Sequence, residues 1–305
     1  MSTTPVPVRF QIQSADDFGQ AQARLSEIQR TGETEAGIVF ELASGTYARP
    51  FSLAAPDVPV DITIRGQGEV WFEGESISLV GERIAVANIG FRGAWSQGTP
   101  LFVQAKAAID LSDVSFDHVA VGRRRAIDTA SSLPRRPGGK RVQARGRMPA
   151  RLSYLVHLDT RGPAAITVRD LHILDSTLVG HALIGIETRP KSPVELERVV
   201  VARTTADAIL RAAPAGAIRF RDSLLQVPPA GVLVLDDIGG DPLTFDDSRI
   251  VVDDPDHLAV GRDAQLEHTA VWGRHTTAAG WRTNGEAIDE ALSGSVDPRQ
   301  AWPQL

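Results

Sequence analysis

Apolar and polar residues alternate along this chain in short bursts, and the bursts recur. Six stretches carry an apolar-x-apolar pair, a polar residue two positions on, and a second apolar-x-apolar pair shortly after it. They are Ile84/Val86/Asn88/Ile89/Phe91, Ile109/Leu111/Asp113/Val114/Phe116, Ile166/Val168/Asp170/Leu171/Ile173, Val194/Leu196/Arg198/Val199/Val201, Ile218/Phe220/Asp222/Leu225/Val227 and Leu243/Phe245/Asp247/Ile250/Val252. Period-two alternation on both sides of a polar residue predicts two short strands joined at a bend. The bends fall at positions 88, 113, 170, 198, 222 and 247, in steps of 25, 57, 28, 24 and 25 residues, so one coil carries an insertion. A third strand is predicted after most bends, at 101–105, 154–158, 182–187, 208–212, 232–236 and 258–261. Three strands per turn with no helix between them predict a single-stranded parallel β-helix, a solenoid, and so an all-β chain.

Parallel stacking makes a second expectation, because equivalent residues of successive coils should lie about 4.8 Å apart. Three residues after the first apolar position stand Arg169, Glu197, Arg221 and Asp246, a column whose charge alternates in sign. Before the repeat, Ser14–Arg30 places Phe18, Ala21, Leu25 and Ile28 on one helical face behind a Ser-x-x-Asp capping signal, which predicts an N-terminal helix over the first open coil. The stretch from about Gln265, with Trp272, Trp281 and Trp302, leaves the repeat and is expected to form an irregular C-terminal cap. The expected organisation is an N-terminal extension at 1–13, the capped β-helix at 14–264 with an insertion at 122–151, and a cap or tail at 265–305.

The segment Gly37-Ile-Val-Phe-Glu-Leu-Ala-Ser-Gly-Thr-Tyr47, following an amphipathic helix and preceding Ile62-Thr-Ile-Arg-Gly-Gln-Gly68, resembles the opening of the right-handed parallel β-helix proteins of the pectate lyase-like superfamily. The likeness is one of architecture, covers roughly residues 14–263 and implies a right-handed coil. The local catalytic signature of a member family is not found, and Asp253-Asp-Pro-Asp-His257 has a different order from the Asp-Pro-His-Asp element of β-helix uronate epimerases.

Composition then narrows the chemistry. The chain has no cysteine, which excludes disulfides, thiolate metal sites and a Cys nucleophile. No apolar run approaches 18 residues, so no membrane helix is expected, and without a basic-then-apolar start the reading is cytoplasmic. Seven histidines include no H-E-x-x-H pair that would suggest zinc, and no phosphate-binding glycine fingerprint occurs. Charge is uneven: between Gly122 and Arg151 ten Lys and Arg face the single acid Asp128, a net +9 in a chain of −6 overall, which leaves −15 on the rest. A basic segment on an acidic body attracts polyanions. It carries no aromatics for base stacking, so an acidic carbohydrate is expected rather than nucleic acid; docking to a protein partner is the competing expectation.

In proteins of the resembled superfamily, substrates are commonly held along one strand face and its loops, which directs attention to the third strands. Counting seven residues back from each following apolar position aligns Asp159, Glu187, Arg211 and Asp236, with Asp159 and Glu187 about 5 Å apart in a regular stack. With Lys106 and His157 nearby, β-elimination or epimerisation of a uronate is the expected activity. Arg211 or Lys106 would neutralise the carboxylate, His157 would act as base, and Asp159 and Glu187 would hold its tautomer or a Ca²⁺ ion. Arg123, Arg124, Arg125, Arg189 and Asp236 are the candidate substrate contacts. Paired carboxylates are equally compatible with hydrolysis. A purely structural ion ladder, a non-catalytic binding or assembly module, and an intracellular enzyme on a small metabolite are the alternatives.

Overall fold

The structure, a computed structural model, describes residues 7–14, 16–21, 23, 27, 37–48, 51–54, 60–95, 98–122, 153–178, 182–188, 192–213, 216–229, 231–235, 243–252, 264–267 and 270–272. The strands stack in parallel, coil on coil, into a β-solenoid with three faces. On the first face one inward column runs Ile38, Ile62, Ile84, Ile109, Ile166, Val194, Ile218 and Leu243. Two residues on, a parallel column runs Phe40, Ile64, Val86, Leu111, Val168, Leu196, Phe220 and Phe245, every member at most 1% exposed. β-Branched, aromatic and leucine side chains fill these columns, each packing on its equivalent in the neighbouring coil. The second face carries an aromatic stack: Tyr47 on Phe72, Phe72 on Phe91 and Phe91 on Phe116, with ring centroids 5.5, 5.6 and 4.9 Å apart.

The polar bends sit where the sequence pattern puts them. Asn88, Asp113, Asp170, Arg198, Asp222 and Asp247 all have positive φ, between 46° and 55°. This left-handed turn is tolerated best by Asn and Asp, so an Arg there needs compensation. Arg198 grips Asp170 of the preceding coil with two hydrogen bonds, Nε to Oδ1 at 2.7 Å and Nη2 to Oδ2 at 2.9 Å. At the next corner Arg203, also at positive φ, grips Asp175 in the same manner with two bonds of 2.6 Å. Planar two-point pairing makes these the strongest form of side-chain ion pair, and each ties one coil to the next at its sharpest bend.

At two bends a serine, Ser223 and then Ser248, takes the position that Val199 holds on the coil before, and both are buried. The hydroxyl of Ser223 accepts the backbone N–H of Val199 at 3.1 Å, and that of Ser248 accepts the N–H of Ser223 at 3.1 Å. The serines thus complete backbone bonding where the ladder is interrupted. Ser223→Ala is expected to strip the Val199 N–H of this partner and to lower unfolding free energy by about 1–3 kcal/mol, measured by urea denaturation. A change within error would show that water replaces the hydroxyl.

The charge column of the first face is in the expected register, Arg169 beside Glu197, Glu197 beside Arg221 and Arg221 beside Asp246. Its N···O separations of 3.6 and 3.8 Å at the two ends, with side chains partly exposed, make it a weak support. The N-terminal cap also forms: the Asp17 carboxylate accepts the N–H groups of Gln13 and Ser14, each at 2.8 Å, which holds its pKa below the usual range. The helix that follows lays Phe18 edge-on against Tyr47, at 5.6 Å between centroids, and buries Ala21.

The ladder extends beyond the limits read from the repeat. Val8–Ile12 pairs with Ile38–Tyr47, so the first rung precedes the helix. Ala264–Glu267 and Ala270–Trp272 pair with the first and second faces of the coil before them. Trp281 and Trp302, the segment 258–261 and the basic segment 123–151 lie outside the described residues. Among the described residues no helix is long and apolar enough to cross a membrane.

Candidate functional site

On the third face, Val156–Thr160, Ala182–Glu187 and Ala208–Ala213 are successive rungs. Strand alternation sends Val156, Leu158 and Thr160 inward and leaves His157 and Asp159 on the outer surface. One outer column reads Phe102, His157, Gly185 and Arg211, and the next reads Gln104, Asp159 and Glu187; in register Arg211 pairs with Leu235 and Glu187 with Ala213. Asp159 and Glu187 are therefore neighbours, as counted from the sequence. Arg211 is not in their column: it stands level with His157 and Gly185, two residues away from the expected register. The cause lies in the corners. Glu187 precedes the next first-face strand at Val194 by seven residues, whereas its true equivalent Ala213 precedes Ile218 by five.

This offset changes what meets what. Asp159 takes a hydrogen bond from Gln104 Nε2, and the carboxylate that faces His157 is Glu187, at 3.6 Å from Nε2 to Oε1. That separation suits charge attraction but exceeds a hydrogen bond. The His157 side chain is 16% exposed, and Nε2 has no hydrogen-bond partner among the described residues. Trp95 Nε1 and the hydroxyls of Thr160, Ser192 and Thr204 share that condition, but an indole N–H and hydroxyls are not bases. His157 and, behind it, the charge of Arg211 hold the Glu187 carboxyl below its usual range against the opposing effect of burial.

Tyr154 completes the cluster, and nothing in the repeat pattern pointed to it. Its ring lies 4.7 Å from the His157 ring, while Phe102 approaches His157 edge-on from the preceding coil at 5.3 Å. The Tyr154 hydroxyl accepts a 3.2 Å bond from Arg211 Nη1, two coils on. The ring can lie there because Gly185 has no side chain; a Cβ at that position would come within 2.6 Å of it. Burial raises the phenol pKa, with Arg211 pulling the other way, so the group stays protonated at neutral pH. Glu187, His157, Tyr154 and Arg211 thus form one continuous chain of contacts across three coils. Lys106 is exposed and begins the corner after Ala105, which pairs with Thr160. Arg123, Arg124, Arg125, Arg189 and Asp236 lie outside the described residues.

As oxygen ligands for Ca²⁺, Asp159 and Glu187 stand side by side but are turned to Gln104 and His157. Asp117, His118 and Asp175 at the second corner bring metal-ligand atoms within 4.8 Å of one another, yet Asp175 is held at both oxygens by Arg203. The chain matches no protein-family model, no curated protein and no solved structure.

Proposed function

We propose that the third face of this β-helix binds an acidic saccharide and abstracts the proton at C5 of a uronate residue, the step common to β-elimination and epimerisation. The reading is carried by one observation: the buried Nε2 of His157, without a hydrogen bond among the described residues, stands between a carboxylate and two aromatic rings, with a guanidinium in its own outer column. Orphaned buried polar atoms are uncommon enough to call for a reason, and pairing with Glu187 once the ring takes up a proton supplies one. The likeness to the pectate lyase-like superfamily favours the same face.

In this reading the His157 imidazole takes the C5 proton and the C5–H electron pair passes toward the uronate carboxyl group. Arg211 stabilises the charge that develops there. Glu187 steadies the imidazolium that forms, and Tyr154 positions Arg211 through its hydroxyl. For elimination the electron pair then returns to form the C4–C5 double bond, the C4–O bond breaks and the leaving oxygen takes a proton from water. For epimerisation water on the opposite side of the ring returns a proton to C5. Lys106 and the basic segment 123–151 would raise the local concentration of an anionic chain.

The test is incubation in D₂O with polygalacturonate, alginate, chondroitin sulfate and heparin, with and without Ca²⁺. Proton NMR follows deuterium at C5, and ultraviolet absorbance follows unsaturated ends. Either signal on at least one polymer is expected, falling about 10²-fold or more in Arg211→Ala. No exchange and no unsaturation on any of the four sinks the proposal, and polyanion binding that persists would then mark a non-catalytic module.

A further inference from the structure

A second concavity lies elsewhere, on the outer side of the bend between the first and second faces. It is an open cleft of about 360 Å³ lined chiefly by Glu69, Trp71, Asn88, Gly90, Asp113 and Ser115. A regular solenoid is flat here, and two local departures make the hollow. In Ile62–Glu73 the register slips: residues 66–70 face only 88 and 89 of the next coil, and the surplus bulges outward with Glu69 on it. Bulges of this kind re-aim side chains and recur beside binding sites. On the floor stands Gly90, where a Cβ would come within 2.5 Å of the Trp71 ring and 2.8 Å of Ser115 Oγ, so any other residue would displace the indole.

The indole is fixed before a ligand arrives. The Arg92 guanidinium lies over it at 5.2 Å from the ring centroid, and Arg92 is itself held by Glu73 at 2.6 Å and Thr46 at 3.2 Å. A preorganised wall lowers the ordering cost of binding. The charges select the ligand. Glu69 and Asp113 line the cleft and repel anions, while Arg92 already occupies the indole's affinity for cations. What remains complementary is an uncharged ring with an apolar face and many hydroxyl donors. Its apolar face meets the indole, and its hydroxyls reach the two carboxylates, the Asn88 amide and Ser115.

We infer that this cleft is a binding subsite for a neutral sugar residue, distinct from the acidic-saccharide face and independent of whether that face is catalytic. The test titrates the full chain with cellotetraose, mannotetraose, galactotetraose and tetragalacturonate. Calorimetry gives affinity, and the indole N–H resonance of Trp71, assigned by its loss in Trp71→Phe, gives location. At least one neutral tetraose should move that resonance. Asp113→Asn, which keeps a side chain suited to positive φ, combined with Glu69→Gln should weaken binding roughly tenfold. Trp71→Ala should abolish it. No shift with any neutral tetraose, a shift with tetragalacturonate alone, or binding unchanged in the double variant would each overturn the assignment.

Discussion

His157→Ala should lower turnover of a responsive uronate polymer by roughly 10²–10⁴-fold, the usual contribution of a positioned general base. The variant removes the imidazole whose Nε2 is buried without a hydrogen bond among the described residues, and it leaves the inward column of Val156, Leu158 and Thr160 untouched. The fold should therefore survive, which a thermal melt would verify. KM should change little, because substrate charge is met by Arg211 and not by the imidazole. Glu187→Gln should act more mildly: it keeps the shape of the contact, now 3.6 Å from Nε2, and removes only the charge that favours an imidazolium. If His157→Ala retained more than half of wild-type turnover while Arg211→Ala lost it, the base would be another group and the proton path given above would be wrong.

The parts of the molecule that were legible in the sequence are those governed by local chemistry repeated at fixed spacing. The bends announce themselves as Asn or Asp because a left-handed residue is needed at each, and even Arg198 falls on the expected position. The Arg169–Asp246 column could be counted because it follows its own strand's first apolar residue by three, within one unbroken element. Arg211 could not be placed by the same arithmetic, since the count crossed a corner. Corners absorb insertions and deletions without disturbing the core: Thr188 to Pro193 make a longer corner than Pro214 to Ala217. Tyr154 was hidden for a different reason. Its place depends on an absent side chain at Gly185 and on a guanidinium 57 residues away, and neither leaves a mark on the local pattern.

Phe116→Ala should be a severe truncation of the core, lowering unfolding free energy by about 3–5 kcal/mol. Phe116 is fully buried, lies 4.9 Å from Phe91 with the rings 9° from parallel, and stands level with Ile173 on the next coil. It is thus the last ring of the aromatic stack that begins at Tyr47, and the point where aromatic packing gives way to aliphatic. Truncation removes the transfer free energy of the ring, leaves a cavity that neighbours on a rigid ladder cannot fill, and forfeits about 0.5–1.5 kcal/mol of ring–ring contact. In a solenoid each coil leans only on its neighbours, so the loss falls on the two interfaces beside Phe116 and can separate unfolding of the N-terminal coils from the rest. Urea denaturation followed by far-ultraviolet circular dichroism should then show a lower midpoint, with a second transition appearing in the variant. Phe116→Leu, which refills most of the volume, should recover the larger part of the loss. A cost below 1 kcal/mol for the alanine variant would mean that the column relaxes around the gap, and that the stack owes its stability to the backbone ladder rather than to its rings.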